Sequence, residues 1–464
     1  MRAFLRCLAG FSGAAVAAWL TPASIHVVDW SAAGPSRVAL FAPLWQLWWW
    51  LTGALAVALL TAHVERHGRL DEQTVRRWSA PLAVFWIWVV PFLPWLPDRA
   101  PMLLALAGPA RWVVGAGVLV WVFGSKAVYA PDLQARRGTP GAWLAFTLSL
   151  VLYAGFGWWN AASVGPGSDE PHYLVITQSL LQDHDLAIEN NHRQGDYKAY
   201  FGGDLRPDFL QRGRREVIYS IHAPGISALV APAFALAGYR GAVATMVVLG
   251  ACASLAVFLI ASHVAGGLAA WLTWAAIALS VPFVPQAWLI YPEMAGAAIV
   301  GWGLVWLLRW EQVTPAGWLW RGCILAVLPW LHTKFVVLLA AFSLVFALRL
   351  VRRPKSVLWL ALPVAASTAL WLWSFFVLYG VWDPQIPYGA SAQTTVLWAN
   401  LPRGLFGMLF DQKFGWLVYA PASALVLWGA VGAWRDQRAR RLTIESGFIA
   451  ALFVVSAARY LMWW

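Results

Sequence analysis

SDEPHYL at residues 168–174 and YSIHAPG at residues 219–225 bracket the one long polar stretch of the chain, residues 168–222. An adjacent Asp-Glu pair opens this stretch directly after an apolar run, and His-Ala-Pro-Gly closes it directly before the next. It carries nine of the chain's 21 acidic residues and four of its nine histidines. Elsewhere, apolar runs long enough to cross about 30 Å of hydrocarbon follow one another from end to end. That alternation predicts an all-α polytopic membrane protein with one large polar excursion carrying juxtamembrane helices.

Composition agrees. The 464 residues are 61% hydrophobic and 12% charged and include 34 Trp, whereas soluble domains are about 25% charged. The net charge of +12 fits orientation against an anionic membrane and makes no case for nucleic acid. Cys7, Cys252 and Cys323 sit in apolar sequence with no pairing or metal-ligand spacing, which predicts free, buried thiols. At the N-terminus, Arg2 and Arg6 precede a short apolar core. This fits a cleaved signal peptide or a first anchor, and the anchor is favoured because no small-x-small cleavage site stands out.

About thirteen spans are expected. Five precede the polar stretch, at 8–20, 40–60, 81–96, 103–123 and 142–161; eight follow it, at 241–261, 268–284, 294–308, 319–331, 335–348, 357–379, 416–434 and 444–461. Residues 224–238 are apolar but short, as an interfacial or re-entrant helix would be. Charge decides their reading. If they do not cross, nineteen of the 33 basic residues face the cytoplasm, among them Arg349, Arg352, Arg353 and Lys355, against at most seven in outer short loops. The positive-inside rule favours that split. It places residues 168–222 outside, together with Glu293, His332, Lys334 and the loop 380–415.

Several of these polar residues have ordinary structural explanations. Pro171 suits a first helical position, so a preceding acid could cap the helix. That accounts for one acid of the Asp169–Glu170 pair and leaves the other. Residues 171–182 place Tyr173, Leu174, Thr177, Leu180 and Leu181 on one face, which predicts a helix lying on the bilayer surface. A carboxylate at its start would stand where a lipid headgroup enters, held and partly desolvated as general-base work on a hydroxyl or amine requires. His222 could satisfy a backbone group, and His332 and Lys334 could be an interfacial snorkelling pair. Glu293, between Ile290-Tyr291-Pro292 and Met294-Ala295, needs a cavity or a cation to face.

SDEPHYL after a span, the HAPG ending, YPE at 291–293, LPWLHTK at 328–334, LFDQKFGWLVYAP at 409–421 and the terminal RYLMWW together resemble bacterial membrane glycosyltransferases of the GT-C superfamily. That group is related to protein O-mannosyltransferases and lipid A aminoarabinose transferases. The resemblance covers residues 142–464 and implies a transmembrane catalytic core there, with residues 1–141 an extra N-terminal membrane segment. It departs in two places: Ala223 stands where relatives often have Pro, and the chain stops at Trp463-Trp464 where similar sequences continue, so a truncated core is expected.

The resemblance implies inverting transfer of a sugar from a polyprenyl-phosphate donor to an extracytoplasmic lipid, glycan or protein acceptor, at the inner membrane with the site facing the periplasm or cell exterior. Asp169 would be the catalytic base and Glu170 would position the acceptor. His222, Glu293, His332 and Lys334 would bind substrate, with His222 and Lys334 at the lipid phosphate. No resident cofactor is implied; a divalent metal is compatible, with Glu170 or His172 as its ligand. The rival readings are a transporter or lipid flippase, which would show an internal repeat that this sequence lacks, and an inactive homologue serving as a scaffold.

Overall fold

The computed structural model describes residues 2–29, 35–68, 71–95, 101–108, 111–112, 114–115, 118, 140–280, 282–390, 396–411, 415–420, 423 and 425–460. About half of the expected span 103–123 lies outside these residues, as do Lys126, Arg136, Arg137, Lys413 and the terminal 461–464. The described chain is mostly helical, and its only sheet is one antiparallel hairpin. Among the described residues, six helices are long and apolar enough to cross a membrane: Leu44–Arg66, Gly141–Ser163, Gly225–Ala265, Thr333–Leu350, Pro354–Tyr379 and Ala439–Ala458. At 1.5 Å per residue, 23 residues reach about 35 Å, enough for a bilayer core of about 30 Å. Three more apolar helices are shorter: Phe4–Leu20, Gly267–Ala278 and Pro292–Leu308. The protein is an all-α, multi-pass membrane protein.

The chain divides into two compact units, residues 1–130 with 406–428 and residues 131–405 with 429–464. In the first, α1 (Arg2–Leu20) leads into the hairpin β1 (Ser24–Asp29) and β2 (Pro35–Leu40), paired Ser24 to Leu40 through Asp29 to Pro35. The helices α2 (Leu44–Arg66) and α3 (Glu72–Leu82) follow. Gly10 lets α1 meet α3 closely, since a Cβ there would lie 2.0 Å from the Ser79 carbonyl oxygen. Arg111 donates to the carbonyls of Leu20 and Ala23 at 3.0 and 2.9 Å, satisfying acceptors that the end of α1 leaves over.

The second unit holds α4 (Pro140–Ser163), α5 (Glu170–Gln178), α6 (Gly225–Ala265), α7 (Gly267–Ala278), α8 (Pro292–Leu308), α9 (Pro315–Leu325), α10 (Val336–Leu350), α11 (Pro354–Tyr379) and α12 (Gln437–Ala458). Its core gathers Met246, Ile290, Trp318, Phe342 and Phe346, all fully buried. Tyr153 on α4 is tied to Ser254 on α6 and to the Ala278 carbonyl, each at 2.8 Å. Arg349 and Glu445 join α10 to α12 through a partly buried ion pair.

Two features position the site. The helix α6 is two helices, because Ala237 and Gly238 leave helical geometry, with Gly238 at φ +57 and ψ −143. Its first limb reaches only about 18 Å, well short of a bilayer core. Helix α5 is shorter than the expected 171–182, ending in a π-helical turn over Ser179–Asp183. It does not present one apolar face to a bilayer surface: eight of its residues, from Glu170 to Gln178, are buried. The polar stretch supplies the missing cover, since Val175 and Ile176 of α5 share a small core with Ile188, Tyr197, Leu205 and Ile218. Cys7 is buried, Cys252 and Cys323 are half-buried, and all three are free.

Candidate functional site

The site begins in the turn from α4 to α5. Val164 and Gly165 both donate to the Asn160 carbonyl, and the chain then passes through Ser168 at φ +51, a left-handed conformation that costs a non-glycine residue about 1–2 kcal/mol. Asp169 occupies the N-cap position with Pro171 in the first turn, yet its side chain makes no capping bond. It is half-buried, and its Oδ1 accepts only a long 3.3 Å contact from Ser168 Oγ among the hydrogen bonds of the described residues. The capping explanation of this carboxylate therefore does not hold.

Glu170 behaves oppositely. It is 2% exposed. Its Oε1 accepts from the backbone N–H of Ile290 at 2.9 Å and its Oε2 from that of Gly167 at 3.0 Å. Burial pushes the carboxyl above its ordinary value, and the two backbone donors pull part of the way back.

Tyr173, one turn along α5, is the hub. It is 3% exposed, and its ring lies 4.6 Å from that of His222 and 6.2 Å, edge-on, from that of Tyr291. Burial, then the charges of Glu293 and Asp169, push the phenol far above its ordinary range, so it stays protonated. Tyr291 in turn accepts from the Asp169 backbone N–H at 3.3 Å. Helix α5 is fixed to the start of α6 by Ser227 Oγ donating to the Tyr173 carbonyl at 2.8 Å and by Thr177 Oγ1 donating to the Ser227 carbonyl at 3.2 Å.

Glu293, in the first turn of α8, accepts from Lys334 Nζ at 2.7 Å through Oε1, while its Oε2 is buried without a hydrogen-bond partner. The cation that its sequence context demanded is thus Lys334. His332 Nδ1 accepts the Lys334 backbone N–H at 3.2 Å. Burial and the Lys334 ammonium hold the imidazole neutral. His222 stands just ahead of α6 with Nε2 3.1 Å from Asp208 Oδ2, which draws the Asp208 carboxyl below its ordinary value.

His222 thus packs on Tyr173, the charges of Asp169 and Glu293 act on it, Lys334 pairs with Glu293 and His332 holds the Lys334 backbone, while Glu170 faces away into backbone. Nothing in this arrangement suits a metal at the expected ligands. Both Glu170 oxygens are taken by amides, and no three His, Cys, Asp or Glu converge on a cation position among the described residues. Burial also pushes His172 below its ordinary value.

A cleft of about 640 Å³, including space open to solvent, runs from His222 past Tyr219, Trp330, Thr333, Trp371, Phe375, Tyr379 and Tyr388. None of the carboxylates lines it. Sequence reasoning missed Tyr173, Tyr291 and Asp208 as site residues. Both tyrosines lie inside quoted motifs, but nothing local marks Asp208, fourteen residues from its partner.

Fold and site together define a multi-pass α-helical membrane protein with a half-buried cluster of carboxylates, imidazoles and one ammonium at the ends of its helices. Comparison with family models, curated proteins and solved structures finds no match for the chain.

Proposed function

We propose that the protein is an inner-membrane glycosyltransferase of the GT-C type. It has about thirteen spans and moves a sugar from a polyprenyl-phosphate donor to an acceptor on the outer face, with residues 142–464 its catalytic core. The observation that carries this reading is the contrast within the acidic pair: Asp169 sits at a helix start without capping it, half-buried and unclaimed by structure, while Glu170 takes the structural duty. A carboxylate so held is suited to take the proton from an acceptor hydroxyl or amine as the acceptor attacks the sugar C1. The phosphate leaves from the opposite side of that carbon, and its growing charge calls for cations or hydrogen-bond donors. His222 and Lys334 are the groups for that task, with Glu293 and His332 holding Lys334. The aromatic cleft beginning at His222 suits an isoprenoid chain whose phosphate rests at the imidazole.

The test is transfer from a panel of radiolabelled polyprenyl-phosphate sugars by membranes containing the protein. Release of sugar from one donor, abolished in Asp169→Asn, is the expected result. Translocation of the labelled lipid without sugar release would replace this reading with a lipid flippase.

A further inference from the structure

Glu170 is the most deeply buried acid of the site, and the proposed chemistry leaves it without a task. Its two oxygens accept N–H groups from parts of the chain 123 residues apart, Gly167 in the turn that carries Asp169 and Ile290 in the turn that carries Tyr291. A third bond, Asp169 N–H to the Tyr291 hydroxyl, closes the same pair of turns. The bond from Gly167 to Glu170 also arches over Ser168 and holds it in its left-handed conformation.

We propose that Glu170 is a positioning residue, a two-ended clamp that sets the Asp169 carboxylate against the turn bearing Tyr291 and Glu293 and contacts neither substrate nor metal. Only a glutamate meets this geometry. Glutamine would turn an N–H toward one of the two N–H donors, and aspartate is one methylene too short to reach both. The charge-stabilising partners of Glu170 are those two amides. The titratable groups facing it are Tyr239 on α6 and Tyr291 ahead of α8, neither a cation. A buried anion satisfied only by backbone dipoles is a costly device, justified where a displacement of about 1 Å costs about 10²-fold in rate.

Only the kinetic arm of the test rests on Asp169 being the base. The first arm needs no substrate: amide hydrogen exchange of the full chain in lipid nanodiscs, followed in peptides covering 164–172 and 286–293. Glu170→Gln should expose the amide of Gly167 or of Ile290, with exchange at least tenfold faster than in the parent, and Asp169→Asn should expose neither. Glu170→Asp gives the same readout should the glutamine variant not fold. Unchanged protection of both amides in a folded Glu170 variant would overturn the clamp. The second arm uses whichever labelled donor the parent turns over: kcat should fall about 10²-fold in Glu170→Gln while KM for donor and acceptor stays constant. A raised KM with kcat retained would make Glu170 a substrate contact and also overturn the proposal. If the parent transfers no sugar at all, the glycosyltransferase reading fails, and the exchange arm still decides the clamp.

Discussion

Replacing Asp169 by Asn preserves size while removing the negative charge and the capacity to take a proton. Because the native carboxylate caps nothing, thermal stability should hardly move while transfer falls by about 10²-fold or more. Full transfer by a folded Asp169→Asn protein would end its role as base. A second expectation concerns Asp208. Its carboxyl is lowered chiefly by the hydrogen bond to His222, so its contribution to stability is present above the free value of 3.8 and lost as the pH falls through the lowered one. Acid unfolding below about pH 4 should therefore be less steep in Asp208→Asn than in the parent, and parallel curves would show that the pair carries no such linkage. At this scale the sequence was informative about identities and silent about roles. The Asp-Glu pair stood out, but which member serves the fold depends on where the Ile290 amide arrives from, and Tyr173 reads locally as one more apolar-face residue.

Long apolar helices announce themselves by hydropathy, which is why α2, α4, α10, α11 and α12 lie where apolar runs were expected. The environment of α5 was not legible in the same way. Its apolar stripe is real, but the opposite face is covered by Ile188, Leu205 and Ile218 from a segment whose own pattern is polar. The hairpin β1–β2 was not expected either, because two six-residue strands between spans carry a weak periodic signal. The corner of α6 gives a sharper expectation. At φ +57 and ψ −143, Gly238 occupies a region essentially closed to other residues, so Gly238→Ala should cost about 1–3 kcal/mol. Gly447, on α12 with nothing within 4 Å of a Cβ, is the control: its replacement by Ala should stabilise by about 0.5–1 kcal/mol. Thermal unfolding in detergent reads both, and equal effects would mean the corner is not strained.

For the molecule as a whole, the class was decided by composition, and six long helices carry it. Sidedness rests on charge: a cysteine at Asp204 should react with an impermeant reagent applied from outside and one at Arg353 should not. Reaction at Arg353 would reverse the second half of the molecule. The corner in α6 also bears on how the protein is made. A nascent chain delivers 225–265 to the insertion machinery as one apolar run of 41 residues, and as an unbroken rod it would extend about 60 Å, twice what a membrane can house. It has to be laid down in two pieces, and the bend after Ala237 marks the cut. On the proposed sidedness the short piece stays on one side; were it also to thread through, every later segment would emerge reversed, with Arg353 exported and Lys334 retained. On that sidedness the orientation of everything after residue 238 is entrusted, during synthesis, to a hinge made where one amino acid has no side chain.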